Sequence, residues 1–264
     1  MAALVDAYRG FIIDLDGVVY LLNDPIEGAA EAVARLQERG LPFVFLTNNS
    51  AATPAQYVER LAAHGIEVGE EWIVTSGQAI GLYLDQHRGS RWKKAVVIGE
   101  EGLADVLRSK EIDVLGHGES EGADLVVVGW DRHFDYDKLR AAVIALRNGA
   151  AFIASNTDST YPTPSGPWPG AGTMVAAVST GGGKEPFVAG KPNPFIVRMA
   201  LERLGTTAAE TLLIGDRLDS DIKAGIAAGV DTLLVLTGIS RRGDIDSLEI
   251  RPTHVRKDLL GIFE

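Results

Sequence analysis

Asp14 and Asp16 stand two residues apart at the end of the apolar run Phe11-Ile12-Ile13, and Gly17-Val18-Val19 follows them at once. A continuous run of this kind reads as the central strand of a parallel sheet covered on both faces. Groups just past its carboxyl end open into the crevice where α/β proteins bind ligands. Two carboxylates placed there repel each other and lose hydration, so a cation, most simply a divalent one, should accompany them. Three more polar clusters follow in order: Thr47-Asn48-Asn49-Ser50 after the apolar run 41–46, Gly190-Lys191-Pro192-Asn193-Pro194 ahead of a helix, and Gly215-Asp216-Arg217-Leu218-Asp219-Ser220-Asp221 after Thr211-Leu212-Leu213-Ile214. Taken singly, each cluster is an ordinary turn, cap or surface lysine. Together they make a set suited to phosphoryl transfer, which needs an in-line nucleophile, positive charge at the phosphoryl oxygens and a proton donor for the leaving oxygen. A turn at Gly17 lets Asp16 swing toward the leaving group while Asp14 faces phosphorus. Lys191 supplies a mobile positive charge, and a site built from few carboxylates suits Mg2+, which takes oxygen ligands and keeps several waters.

The elements that must position these groups alternate along the chain. Ala30, Val33, Ala34 and Leu36 recur at helical spacing over 29–39 and stop at Gly40, after which 41–46 reads as a buried strand. Thr53-Pro54 starts the next helix and Gly65 closes it. The same alternation recurs over 94–98, 103–110, 124–128, 137–148 and 151–154, and again over 195–204, 211–214, 221–228 and 232–236. One sheet holding all of these strands would be large, and the chemistry-bearing residues lie before 80 and after 186. The chain therefore reads as α/β with an inserted second domain: a core of 1–79 and 185–264, and an insertion of 80–184. Thr75-Ser76-Gly77-Gln78 and Ser179-Thr180-Gly181-Gly182-Gly183-Lys184 are the expected hinges.

Composition removes several classes of function. The 264 residues, 46% of them hydrophobic, suffice for a sizeable core. A net charge of −11 argues against nucleic acid or an anionic membrane as partner, since both need a basic face, but leaves a small anionic substrate open. Without cysteine there are no disulfides and no thiolate chemistry. The amino-terminal residues Met1-Ala2-Ala3-Leu4-Val5-Asp6 show no basic n-region or long apolar segment, and no later run approaches the roughly 20 apolar residues of a membrane span. The expectation is a soluble, cytoplasmic protein. Gly170-Ala171-Gly172 lacks the third glycine of a dinucleotide fingerprint and reads as a helix start, Gly183-Lys184 is followed by Glu185 rather than the hydroxyl of a phosphate-binding loop, and the five histidines form no close zinc pair.

The four clusters together resemble the four motifs of the haloacid dehalogenase superfamily of phosphatases, over nearly the whole chain. Val127-Val128-Gly129-Trp130-Asp131-Arg132-His133-Phe134 and Pro169-Gly170-Ala171-Gly172-Thr173 are similar to the cap of its subfamily IIA, the group of nitrophenylphosphatase-like, phosphoglycolate, pyridoxal-phosphate and nucleotide phosphatases. The resemblance implies a Rossmann-like parallel core with an inserted α/β cap of the C2 type, and Mg2+-dependent hydrolysis of small phosphorylated metabolites. It implies that Asp14 forms an aspartyl-phosphate and that Asp16 protonates the leaving oxygen and later activates water. Thr47 and Asn48, with Asn49 beside them, would hold the phosphoryl oxygens, and Lys191 would neutralise Asp14 and the phosphoryl group. Asp14, the backbone carbonyl of Asp16 and Asp216 would ligate Mg2+. Asp221 would orient metal waters or Lys191, and Asp219 would cap the helix that follows. A homodimer through the cap is compatible with this group.

The place of the insertion narrows the subgroup independently. One helix and one strand fill the stretch between Asp16 and Thr47, whereas that between Asn49 and Lys191 has room for about 100 extra residues. A cap inserted there would close over the site and exclude water. Substrate choice then falls to cap residues: Trp130, Asp131, Arg132 and above all His133 could reach a leaving group, Asn156-Thr157-Asp158 could sit at the junction of cap and core, and the proline-rich 155–169 reads as a shaped loop near the site. Two alternatives stay open, a phosphotransferase using the same intermediate and a catalytically silent ligand-binding relative. The intact Asp14, Asp16 and Lys191 weigh against the second.

Overall fold

The computed structural model describes residues 3–87, 92–116 and 118–264; Met1 and Ala2 of the amino-terminal stretch lie outside them. Two parallel sheets organise the chain. The core sheet runs, from edge to edge, His254–Arg256, Asp231–Val235, Thr211–Gly215, Gly10–Asp14, Phe43–Thr47 and Ile73–Thr75. Every neighbouring pair is parallel, with Ile12 opposite Leu213 on one side and Val44 on the other. The chain leaves Gly10–Asp14 toward one edge and later returns to build the other, so this strand ends at a topological switch point.

Both faces of the core sheet are apolar, which accounts for the uninterrupted Phe-Ile-Ile run. Phe11 and Ile13 pack with Phe43, Phe45, Ile214 and Val235 against Val33 and Leu36 of the helix Ala29–Glu38 and Leu61 of the helix Pro54–Ala63. Ile12, Val44 and Leu46 face the opposite way, against Ala79, Ile80 and Leu84 of the helix Ser76–Gln86 and Ile196, Val197 and Ala200 of the helix Pro194–Leu204.

The second sheet runs Phe187–Val188, Ala151–Ala154, Leu125–Val128, Lys94–Ile98 and Asp113–Val114, again parallel throughout. One face packs on the helices Tyr136–Arg147 and Ala171–Gly182. From the other face Ala95, Leu125, Val127 and Ile153 join the same apolar cluster as Ile12 and Leu46 of the core. This cap sheet takes in Phe187–Val188, past the expected limit at 184. Neither expected hinge is loose. Thr75 is the N-cap of Ser76–Gln86, its hydroxyl accepting from Gln78 N–H while the Gln78 side chain accepts from Thr75 N–H. Ser179 to Gly182 are the last turn of a helix that Gly183 ends in the left-handed conformation. Among the described residues no helix is long and apolar enough to cross a membrane.

Candidate active site

The carboxyl ends of Gly10–Asp14, Phe43–Thr47 and Thr211–Gly215 converge, and Lys191 enters from the chain returning out of the cap. Its ammonium, on a side chain 2% exposed, donates to Asp14 Oδ1 at 2.7 Å, to Asp221 Oδ1 at 2.5 Å and to the Leu46 carbonyl at 3.4 Å. Burial alone would lower the lysine pKa, but Asp14 and Asp221 outweigh it and hold the side chain charged. Carboxylate oxygens of Asp14, Asp216 and Asp221, all buried, lie within 4.8 Å of one another. Three acids against one ammonium leave a deficit of positive charge.

Asp216 shows what would fill it. Its Oδ2 accepts from the Ile239 N–H at 2.7 Å, while Oδ1 is buried without a hydrogen-bond partner among the described residues. The backbone crowds in on this carboxyl group: a Cβ on Gly17 would lie 2.5 Å from Asp216 Cγ, and one on Gly238 2.0 Å from Oδ2. Gly17 also has φ +94°, the conformation that lets the chain turn back beneath Asp16. An orphaned carboxylate oxygen facing two more acids fits a hard divalent cation such as Mg2+. Asp221 is placed by a π-helical turn, Leu218–Ile222, in which its Oδ2 accepts from the Arg217 N–H.

Asp16 lies beyond the triad. Its Oδ1 accepts from the Tyr161 hydroxyl at 2.7 Å and its Oδ2 from the Thr47 hydroxyl at 3.4 Å. Asn48 lines the cavity over Asp14. Its side chain accepts from Lys191 N–H and donates to Lys191 O, a two-way clamp on the lysine backbone, and it donates also to Asp158 Oδ2 at 2.8 Å. With these partners the Asn48 side chain fixes the Lys191 backbone. Asn49 lines the cavity, and its side chain accepts from the Ala51 N–H. Asp219 does not cap the next helix; it pairs with the Arg217 guanidinium through both oxygens, at 3.2 and 3.1 Å.

From the cap, Asn156 donates to the Asn48 carbonyl at 2.7 Å and Asp158 accepts from Asn48, so the 156–158 segment does sit where cap meets core. His133 is not brought to the site. It is exposed and lines neither the cavity over Asp14 nor the cleft beside it. The reason is local: Asp131, expected to reach the substrate, is 2% exposed, accepts from the His133 N–H and pairs with Lys138, folding the loop back on the cap. Arg132 does face the cleft, held by Glu100 at 2.7 and 2.9 Å. Sequence reasoning missed Tyr161 and Arg60; the proline-rich loop marked the region of the first, and nothing singled out the second within its amphipathic helix.

Without a cation Asp14 and Asp216 keep their protons to higher pH than a free carboxylate. Burial, then Asp221, pushes Asp216 up to about 8, and burial raises Asp14, Asp16 and Asp158 against the pull of their cationic or hydroxyl partners. Acids whose folded pKa lies above the unfolded value stabilise least at high pH: from about pH 4 the unfolded chain releases protons that the folded chain keeps. The melting temperature of chelator-treated protein should therefore fall between pH 5 and pH 8, and a divalent cation should reverse much of the fall. A melting temperature climbing steadily over that range would contradict the crowding of these acids.

A parallel-sheet crevice holding this constellation beneath a cap defines an α/β enzyme built to handle phosphoryl groups. Models of two families, described as haloacid dehalogenase-like hydrolase and HAD-hydrolase-like, match residues 11–113 and 188–262. The 5'-nucleotidase YutF of Bacillus subtilis is 40% identical over 247 residues, 94% of each chain. The acid sugar phosphatase of Staphylococcus epidermidis is 38% identical over 253 residues, 96% of this chain and 95% of that one. Among solved structures, NagD from E. coli K-12 superposes with a TM-score of 0.85 at 34% identity, covering 96% of this chain and 97% of that chain. A glycerol phosphate phosphatase from Mycobacterium tuberculosis, in complex with magnesium, does so at 0.89 and 32%, over all of this chain and 79% of the other. The chain belongs to the haloacid dehalogenase superfamily, within subfamily IIA, and is a hydrolase of phosphoric monoesters.

Proposed function

We propose that the chain is a Mg2+-dependent hydrolase of small phosphorylated metabolites that works through an aspartyl-phosphate on Asp14, with Asp16 as general acid and base, in the cytoplasm. The observation that carries this reading is the buried Lys191–Asp14 contact of 2.7 Å beside the three-acid cluster. It gives a carboxylate held in a fixed direction next to charge that can receive phosphoryl oxygens. The organisation proposed with it is a catalytic core of 1–79 and 185–264 under a specificity cap of 80–184.

The carboxylates of Asp14 and Asp216 and the Asp16 carbonyl would hold Mg2+, which when bound supplies positive charge to the phosphoryl oxygens. Lys191 adds its own charge and Thr47 its hydroxyl. An Asp14 oxygen bonds to phosphorus as the ester P–O bond breaks; the electron pair leaves on the ester oxygen, which takes the proton of Asp16. Asp16, now a carboxylate, removes a proton from water as the water oxygen bonds to phosphorus and the bond to Asp14 breaks. Orthophosphate is released, and both aspartates return to their starting states.

The cavity over Asp14 has a volume of about 40 Å³, room for little beyond the phosphoryl end. The leaving group extends into an adjoining cleft of about 320 Å³, where Trp130, Trp168, Arg60 and Arg132 present aromatic and cationic surface. Nucleotides, sugar phosphates and glycerol phosphate, the compounds named in its relatives' activities, are the classes to rank by kcat/KM.

Hydrolysis and transfer separate on the acceptor. With p-nitrophenyl phosphate in the presence of a high concentration of glycerol, orthophosphate and nitrophenol should appear in nearly equal amounts. Diversion of most phosphoryl groups to glycerol would establish the phosphotransferase, and no turnover of any ester the silent relative.

A further inference from the structure

We propose that Tyr161 is a positioning residue for Asp16: its phenol, carried on the cap, holds the carboxyl group in the orientation that exchanges a proton with the leaving oxygen, so that acid catalysis operates only while this part of the cap is seated on the core. The proposal rests on the reading of Asp16 as the general acid.

The two oxygens of Asp16 are held unequally. Oδ1 accepts from the Tyr161 hydroxyl at 2.7 Å, a full-strength hydrogen bond, whereas among the described residues Oδ2 has only the Thr47 hydroxyl at 3.4 Å. A carboxyl group turns easily about its last side-chain bond, because the energy wells there are broad and roughly two-fold. One firm donor on one oxygen removes that freedom. It also decides where the acid proton sits: an Oδ1 that is accepting from the phenol leaves Oδ2 to carry it, and the long contact at Oδ2 is the one a leaving oxygen can displace.

The phenol is aimed from three directions. Its ring stacks on Trp130 at 4.7 Å and 22°, and the Trp130 Nε1–H donates to the Pro169 carbonyl at 3.0 Å. Pro169 and Trp168 pair antiparallel with Thr160 and Tyr161, so that Trp130 grips both strands of this hairpin. From the core, the buried Arg217 guanidinium donates to the Thr160 carbonyl at 2.9 Å and to its hydroxyl at 3.2 Å. The residue next to the phenol is thereby tied to the same turn that presents Asp216 and Asp221. Withdrawal of the hairpin would break the Arg217 contacts and release Asp16 together.

Tyr161→Phe tests this, since the ring and its stacking remain and only the donor goes. The readout is the single-turnover release of phenol from phenyl phosphate compared with that of nitrophenol from p-nitrophenyl phosphate, two esters of nearly equal shape. The first leaving group needs a proton and the second departs readily as an anion. The expected result is a loss of about tenfold or more for phenyl phosphate, against less than about threefold for p-nitrophenyl phosphate, with KM for the latter unchanged. Equal losses on the two esters, or none, would overturn the proposal. Asp16→Asn separates the two readings: if it too shows no dependence on the leaving group, the acid role of Asp16 fails; if it shows the dependence and Tyr161→Phe does not, only the role of Tyr161 fails.

Discussion

Asp14→Asn should lower kcat on p-nitrophenyl phosphate by about four to six orders of magnitude, a transition-state loss of about 5–8 kcal/mol. The amide has the carboxylate's shape, and its oxygen can still accept from the Lys191 ammonium that now lies 2.7 Å from Oδ1. What it lacks is the charge and lone-pair reactivity of a nucleophile. The variant should fold, since it removes one of three acids crowded within 4.8 Å of one another, and its metal-free melting temperature should be no lower than that of the parent. Radiolabelled phosphate trapped on the parent by rapid acid quench should be absent from the variant. Retention of more than about one hundredth of the parent kcat would place the nucleophile elsewhere.

Chelation should have an effect of similar size. With EDTA in excess, turnover should fall to background and return on addition of Mg2+, because one lysine cannot balance Asp14, Asp216 and Asp221 together with an incoming phosphate dianion. Binding has a second readout that does not depend on catalysis: a cation held by the folded chain alone stabilises it by about 2.7 kcal/mol at one hundred times its Kd. Asp216→Asn removes a charge from the carboxyl group whose Oδ1 has no hydrogen-bond partner among the described residues, and it should raise the Mg2+ concentration for half-maximal activity by about tenfold or more. Full activity in EDTA would remove the cation from the mechanism.

The central strand and the clusters at Asp14, Thr47 and Gly215 were legible because each sets polar groups directly after a buried apolar run, a placement that costs free energy unless it has a use, whereas Lys191 follows only the half-buried pair Phe187–Val188. Most helices were legible from periodicity and caps, as at Thr53 and its capping box with Gln56. The rest depends on tertiary contact. Ser179-Thr180-Gly181-Gly182 reads as a flexible hinge by composition, yet it is the end of a helix packed so closely that a side chain on Gly181 would meet Val143 at 2.5 Å and one on Gly182 would meet Leu146 at 2.5 Å. Glycine serves there to let two helices approach. The pairing of Phe187–Val188 with Ala151–Ala154 has no signal in the sequence, because a two-residue strand is too short for any periodicity. His133 drew attention as the one titratable ring on a promising loop, but Asp131 spends both its oxygens holding that loop to the cap. Tyr161 had no marker of its own, and its role depends on Asp16, 145 residues away.

The distances along the chain within the site carry a consequence for how the enzyme comes into being. The Asp14–Lys191 contact spans 177 residues, and the Asn48 clamp on Lys191 spans 143. Closing loops of that size costs entropy that only widespread burial of apolar surface can offset. The catalytic centre is spread along the chain from Asp14 to Asp221: a chain emerging from the ribosome carries Asp14, Asp16 and Thr47 early, but Lys191, Asp216 and Asp221 only after the whole cap sheet has been made. The nascent half-site is an acidic pair without its ammonium. Catalytic competence thus arrives late in synthesis, after the chain has passed through the cap sheet and come back to the strand where it began.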